Sequence, residues 1–188
     1  MTQEKARKKK FTRIILGYPL ALFVVALAAN VIIFGVNPVT VSPPSTSIVG
    51  VLVVSALLLL LNHTWLMTST ELTRLKYNMH ATPEEWEASI HRQCDVPDQG
   101  FQEIERRHNA HANATENTVH FVFLALLLSV ISPTTLAAQV WIIGFAVGRL
   151  AHAFFYLSGK DGARGIAMSI SLVSLYGLAS YLAVSVVI

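Results

Sequence analysis

Hydrophobic and polar positions divide this chain into long apolar runs and short polar connections. No charged side chain occurs from Ile14 through Thr70, a gap too long for the core of a soluble domain. Crossing about 30 Å of hydrocarbon takes roughly 20 helical residues at about 1.5 Å each. Runs of that order lie at 13–36, 47–68, 112–131, 135–157 and 165–187, so the pattern predicts an all-α integral membrane protein with five spans. The third run is the weakest, since continuous apolarity begins only near Val119, and its polar end must be wet or covered by protein.

The basic residues then orient the spans. The tail "KARKKKFTR", the segment 69–112 and the loop "SGKDGARG" hold every Lys and Arg except Arg149, whereas "NPVTVSPPSTS" and "SPTT" carry no charge. Cytoplasmic connections are enriched in Lys and Arg, so five spans put the N-terminus inside and the C-terminus outside. The membrane is a bacterial inner membrane or the endoplasmic reticulum. "ALAA" at 26–29 offers a signal-peptide cut after Ala28, but the apolar run continues to Val36, which favours a retained helix. Residues 1–46 read as a basic tail with one helix. Residues 47–188 read as the main membrane domain, with 69–112 as its cytoplasmic loop.

Composition, 53% hydrophobic and 13% charged with a formal net charge of +3, agrees with a membrane chain. Charges in 69–112 are of mixed sign, so no nucleic-acid partner is expected. There Thr82 reads as an N-cap ahead of Pro83, with acids in the first turn, and "CDVPDQG" ends that helix. Cys94 is the only cysteine, so no intramolecular disulfide forms. His91 with Cys94 and His108 with His111 loosely imitate zinc spacing. With one cysteine they read as solvated residues, and no metal is expected. The sequons at Asn62 and Asn113 lie in or beside spans and are not expected to be glycosylated.

Polar residues inside the spans carry the chemistry. Arg149, His152 and Tyr156 stand at i, i+3 and i+7, as do Asn113, Glu116 and His120, so each set shares a helix face. A charge within a bilayer is costly and faces a bundle interior or a watery cavity. Two readings stay open: the faces line a cavity open to the cytoplasm, or Glu116 and Arg149 neutralise each other while His152 and Tyr156 pack. "GFAVG" at 144–148 permits a close helix contact.

"HANATEN" at 111–117 followed by "GRLAHAFFYL" at 148–157 resembles the signature of the MAPEG family, the membrane-associated proteins of eicosanoid and glutathione metabolism. The nearest pattern is that of its microsomal prostaglandin E synthase and glutathione transferase members, and it extends from about Leu52 to the C-terminus. The resemblance implies homotrimers of four-helix protomers, with the first helix as an addition, and glutathione bound between subunits near the cytoplasmic side. It places Arg74, Asn113, Glu116, His152, Tyr156 and Arg164 on glutathione, assigns Arg164 to the thiolate as the catalytic group, and makes Arg149 a structural buried charge. Asn109 stands where the family usually has Arg, and Ala112 replaces a second one, so Arg106 or Arg107 is the substitute cation. The implied activity is glutathione transfer to lipophilic electrophiles or reduction of lipid hydroperoxides, with the second substrate entering from the bilayer. The alternative is a non-catalytic lipid-binding or scaffold protein. A transporter is disfavoured, because no inverted repeat is visible.

Overall fold

The computed structural model describes residues 3–188, in which the apolar runs are helices. Helix α1 spans Gln3–Ala28 and continues through a π-helical segment, Ala29–Phe34, to Gly35, whose φ of +71° ends it. Helix α2 is Thr46–Lys76, α3 Pro83–Ala88, α4 Asp98–Ser129, α5 Thr135–Leu157 and α6 Asp161–Val187. Ser45 caps α2, and Thr82 caps α3 through a full capping box with Glu85, as the Thr-Pro-Glu-Glu start demands. Among the described residues no strand occurs.

Four helices are long and apolar enough to cross a membrane: Glu4–Phe34, Thr46–Lys76, Thr135–Leu157 and Asp161–Val187. Helix α4 is as long but begins at Asp98, well before the expected span at 112–131, so that its first four turns are mostly polar, with Ile104 and Ala110 buried among them. Nothing interrupts it after Gly100, because Gln, Glu, Arg, His and Ala all sustain a helix. Its apolar half packs against α2, α5 and α6 and completes a four-helix bundle. This is an all-α membrane fold with one helix added at the N-terminus, since α1 lies against α6 and only its π-helical end also reaches α5.

The bundle is organised around α5 and α6. A Cβ added at Gly148 would stand 2.7 Å from the Ser171 amide nitrogen, and one at Gly144 would stand 2.7 Å from Ser174 Oγ. The glycine pair therefore brings the two helices together, as its spacing suggests. Towards the uncharged connections the interior is apolar: Phe121 stacks on Phe145 at 4.2 Å, among Leu128, Ala138, Ile142 and Leu178. Tyr181 Oη accepts from the amides of Asn37 (3.2 Å) and Thr134 (2.9 Å), tying both connections to α6. Asn30 joins three elements: Nδ2 donates to Gly177 O (2.8 Å) and Ser180 Oγ (2.9 Å), and Oδ1 accepts from Trp141 Nε1 (2.7 Å).

Trp141 lies flat on Gly177, where an added Cβ would fall 2.3 Å from the indole. Gly177→Ala is therefore expected to cost about 1 to 3 kcal/mol through overpacking. It should lower the thermal unfolding midpoint in detergent; an unchanged midpoint would contradict this helix approach.

Candidate functional site

Helix α5 presents Arg149, His152 and Tyr156 on one face, towards α4 and α6. Arg149 is fully buried. Its Nη2 donates to Asn113 Oδ1 at 2.6 Å and lies 3.5 Å from His152 Nδ1, Nη1 points at Met168 Sδ at 3.3 Å, and Nε has no partner. The His152 ring centroid lies 5.7 Å from that of Tyr156, and the Arg164 guanidinium sits 4.7 Å above the Tyr156 ring. Arg164 also pairs with Asp161 at 3.2 Å. Asn113, Arg149, His152, Tyr156 and Arg164 thus form a continuous polar string from the bundle interior to the start of α6.

Glu116 is not in that string. It is exposed, and of the two readings left open by the sequence, the neutralisation of Arg149 by Glu116 does not occur within the chain. Asn113 takes the arginine instead. Glu116 stands almost one turn further along α4, rotated by roughly 60°, which carries it off the α5-facing side. Arg74 also lies elsewhere: in the last turn of α2 it pairs with Glu71, and its Nη2 is 3.4 Å from His108 Nε2. It lines a separate groove with His80, Glu85 and His91. The zinc-like pairs are split as well, because Cys94 is exposed beside Asp95 and His111 Nε2 lies 3.0 Å from His63 Nδ1.

The string opens into a groove of about 320 Å³ between α4 and the α5–α6 turn, lined by Gln102, Glu105, Arg106, Asn109, Tyr156, Asp161 and Arg164. Gly159, at φ +67°, forms its floor, and a Cβ there would approach Arg106 Nη1 to 3.2 Å. Of the two candidate cations, Arg106 lines the groove. Arg107 is engaged elsewhere, donating to the Glu103 carboxylate and to Ser69 O (3.2 Å) and so tying α4 to α2. Gln102, Glu105, Arg106 and Asn109 repeat at helical spacing, a signal visible only once α4 is begun at Asp98. A second, larger cavity of about 550 Å³ opens between α2 and α4, with Leu59, Leu60, Val119 and Val122 as walls. His63, His111, Thr115, Thr118 and the buried Asn62, whose Oδ1 has no partner, supply its polar groups.

The Arg107 hydrogen bond holds the Glu103 carboxyl below its ordinary value of 4.5. A lowered carboxylate stabilises the fold above its unfolded pKa, and that contribution is lost as pH falls through the folded value. The α2–α4 tie is therefore complete at neutral pH. Below about pH 4.5 the amide protection factors in the first turns of α4 should fall, and in Glu103→Gln they should already be reduced at neutral pH. A second expectation separates Asn113 from Glu116. Asn113→Ala strips a buried guanidinium of its oxygen acceptor and should destabilise by about 1.5 to 3 kcal/mol, whereas Glu116→Gln should leave the unfolding midpoint of the isolated chain nearly unchanged. Equal losses in both would return Glu116 to the arginine.

The sequence profile of the MAPEG family matches residues 51–184, from the second turn of α2 almost to the end of α6. No curated protein matches the chain. The match takes in the whole polar string and the groove and leaves out α1, the connection after it with the first turn of α2, and the last four residues. The chain therefore belongs to the MAPEG family of integral membrane proteins of glutathione and eicosanoid metabolism.

Proposed function

We propose that the protein is a glutathione-dependent membrane enzyme that acts on lipophilic electrophiles or lipid hydroperoxides. The carrying observation is the groove in which Arg106 and Arg164 converge with Glu105, Asn109 and Tyr156. Glutathione has two carboxylates, an ammonium and a thiol. A set of two guanidiniums, two amides and a phenol beside two carboxylates, Glu105 and Asp161, of which Asp161 is taken up by Arg164, fits it, and Arg suits carboxylates through its planar fork. Glu116 and Arg74, which one chain keeps away from Arg164, are the residues we assign to the same ligand across a subunit boundary in a homotrimer. On this reading residues 47–188 form the catalytic unit, residues 1–46 are attached to it, and the charged connections face the cytoplasm.

Bound glutathione supplies the nucleophilic thiol. Arg164 favours its ionised form, because a cation close to a thiol lowers the thiol pKa. Tyr156, beneath the face of that guanidinium, and Asp161, on Nη2, hold its plane in place. Asn113 and His152 act one layer deeper, giving Arg149 Nη2 its partners and fixing the α4–α5 contact. The mostly apolar α2–α4 cavity suits the lipophilic second substrate, which reaches it from the bilayer. That same cavity supports the second reading, a lipid-binding scaffold without catalysis.

Thiolate absorbance titration of the purified protein with glutathione separates the two. An enzyme raises the thiolate signal at neutral pH, and Arg164→Ala should abolish that signal and cut turnover by roughly a hundredfold, the scale set by losing one preorganised donor. Arg164→Lys should restore part of both. Full activity in Arg164→Ala would sink the assignment to Arg164; a wild type with neither thiolate signal nor turnover would establish the scaffold.

A further inference from the structure

Helix α1 lies outside the family match, and its charged end has no part in the glutathione reading. Two contacts fix its position along α6: Tyr18 Oη and Ser169 Oγ lie 2.7 Å apart, and Asn30 Nδ2 reaches Gly177 O and Ser180 Oγ. The order of these contacts makes the helices parallel. Arg13 and Arg164, each five residues before the Tyr18–Ser169 contact, therefore stand at one level, roughly 7.5 Å below it. Helix α6 begins three residues lower, at Asp161, but α1 continues to Gln3. The protruding part bears Lys5, Arg7, Lys8 and Lys9, with Lys10 level with the first residue of α6, against one acid, Glu4, which is paired with Lys8 at 2.8 Å.

The faces of α1 indicate what these cations meet. Leu22, Phe23, Ala26 and Asn30 are half-buried or buried on the side towards α6. On the opposite side Lys10, Arg13, Ile14, Gly17, Ala21 and Val24 recur at i, i+3, i+4, i+7, i+11 and i+14, and all are exposed. Nothing lies within 4 Å of a Cβ built at Gly17. A face that is apolar along the membrane helix thus ends in two cations at the level where α6 leaves the bundle. Lys5 and Lys8, five full turns before Phe23 and Ala26, sit instead under the protein-facing side.

We propose that this end of α1 is a binding surface for anionic phospholipid headgroups, with Lys10 and Arg13 as its principal contacts. The commitment to lipid follows from the continuity of that face: the side chains above the two cations are in hydrocarbon, so the groups beside the cations are headgroups. Basic clusters directly beyond a membrane helix attract anionic lipid through this juxtaposition, and salt weakens the attraction.

The test uses the full chain in lipid nanodiscs, with spin-labelled phosphatidylglycerol and phosphatidylcholine as probes of the lipid next to the protein. Wild type should prefer phosphatidylglycerol, with the preference fading as salt is raised. The double variant Lys10→Gln/Arg13→Gln should lose at least roughly tenfold of it, while the charge-matched Lys5→Gln/Lys8→Gln keeps most. Both pairs are exposed, and equal thermal unfolding midpoints will confirm intact folding. Equal losses in the two pairs, or an undiminished preference in the first, would overturn the proposal. In discs of phosphatidylcholine alone, the first pair should leave the glutathione KM unchanged. A raised KM with no change in lipid preference would make the cluster a steering device for the anionic thiol and would overturn the lipid surface.

Discussion

Arg149 sets the terms for the rest of the bundle. A guanidinium with no exposed surface inside a membrane protein must find acceptors or pay a desolvation penalty of several kcal/mol. The chain meets this with Asn113 from α4, His152 from α5 and Met168 from α6, so three helices must converge on one group. Their approach depends on Gly148, directly before the arginine, which admits the α6 backbone at Ser171. Moving any of these helices by a turn would leave the charge without partners. The same constraint sets the site, because His152 and Tyr156 follow Arg149 along α5 and carry the polar string out to Arg164.

The division of labour between the two arginines follows from surroundings. Arg149 is encircled by its own chain and has only Nε unengaged, which suits a group that fixes helix register. Arg164 is half-exposed, stacked on an aromatic face and held at one edge by Asp161. A guanidinium restrained this way keeps donors available and loses little freedom on binding an anion. Arg106 and Arg107 repeat the contrast at neighbouring positions, one turned into the groove against Gly159 and the other committed to Glu103 and Ser69.

Most of the helical layout is legible in the sequence because hydrocarbon imposes a simple rule on length and polarity. The rule fails for α4, where the start at Asp98 is hidden: its first turns are mostly polar, and Phe101 and Ile104 alone are too few to mark a span. That failure conceals Gln102 and Glu105 and leaves Arg106 and Arg107 equivalent. Spacing along one helix correctly groups Arg149, His152 and Tyr156 on a face, but it carries no information on how that face is turned towards α4. Asn113 rather than Glu116 therefore meets the arginine. The His63–His111 contact is invisible for a related reason, since it joins residues on two helices with no shared motif.

Helix α1 shows how an added element becomes part of a fold without belonging to its core pattern. The family match begins at residue 51, yet Asn30 is fully buried and completes the hydrogen bonds of Trp141 and Ser180, two residues inside the matched region. An indole N–H in an apolar interior needs an acceptor, and here the acceptor comes from α1. The Gly177 carbonyl, by contrast, already accepts from the Ser180 hydroxyl of its own helix at 3.3 Å and gains only a further bond from Asn30. The attachment is thus asymmetric in its consequences: α1 needs α6 to bury its amide, and α5 needs α1 to satisfy Trp141. This exchange pins α1 in rotation and in depth, and its basic end is aimed at the membrane surface by contacts made about 30 Å away along the helix.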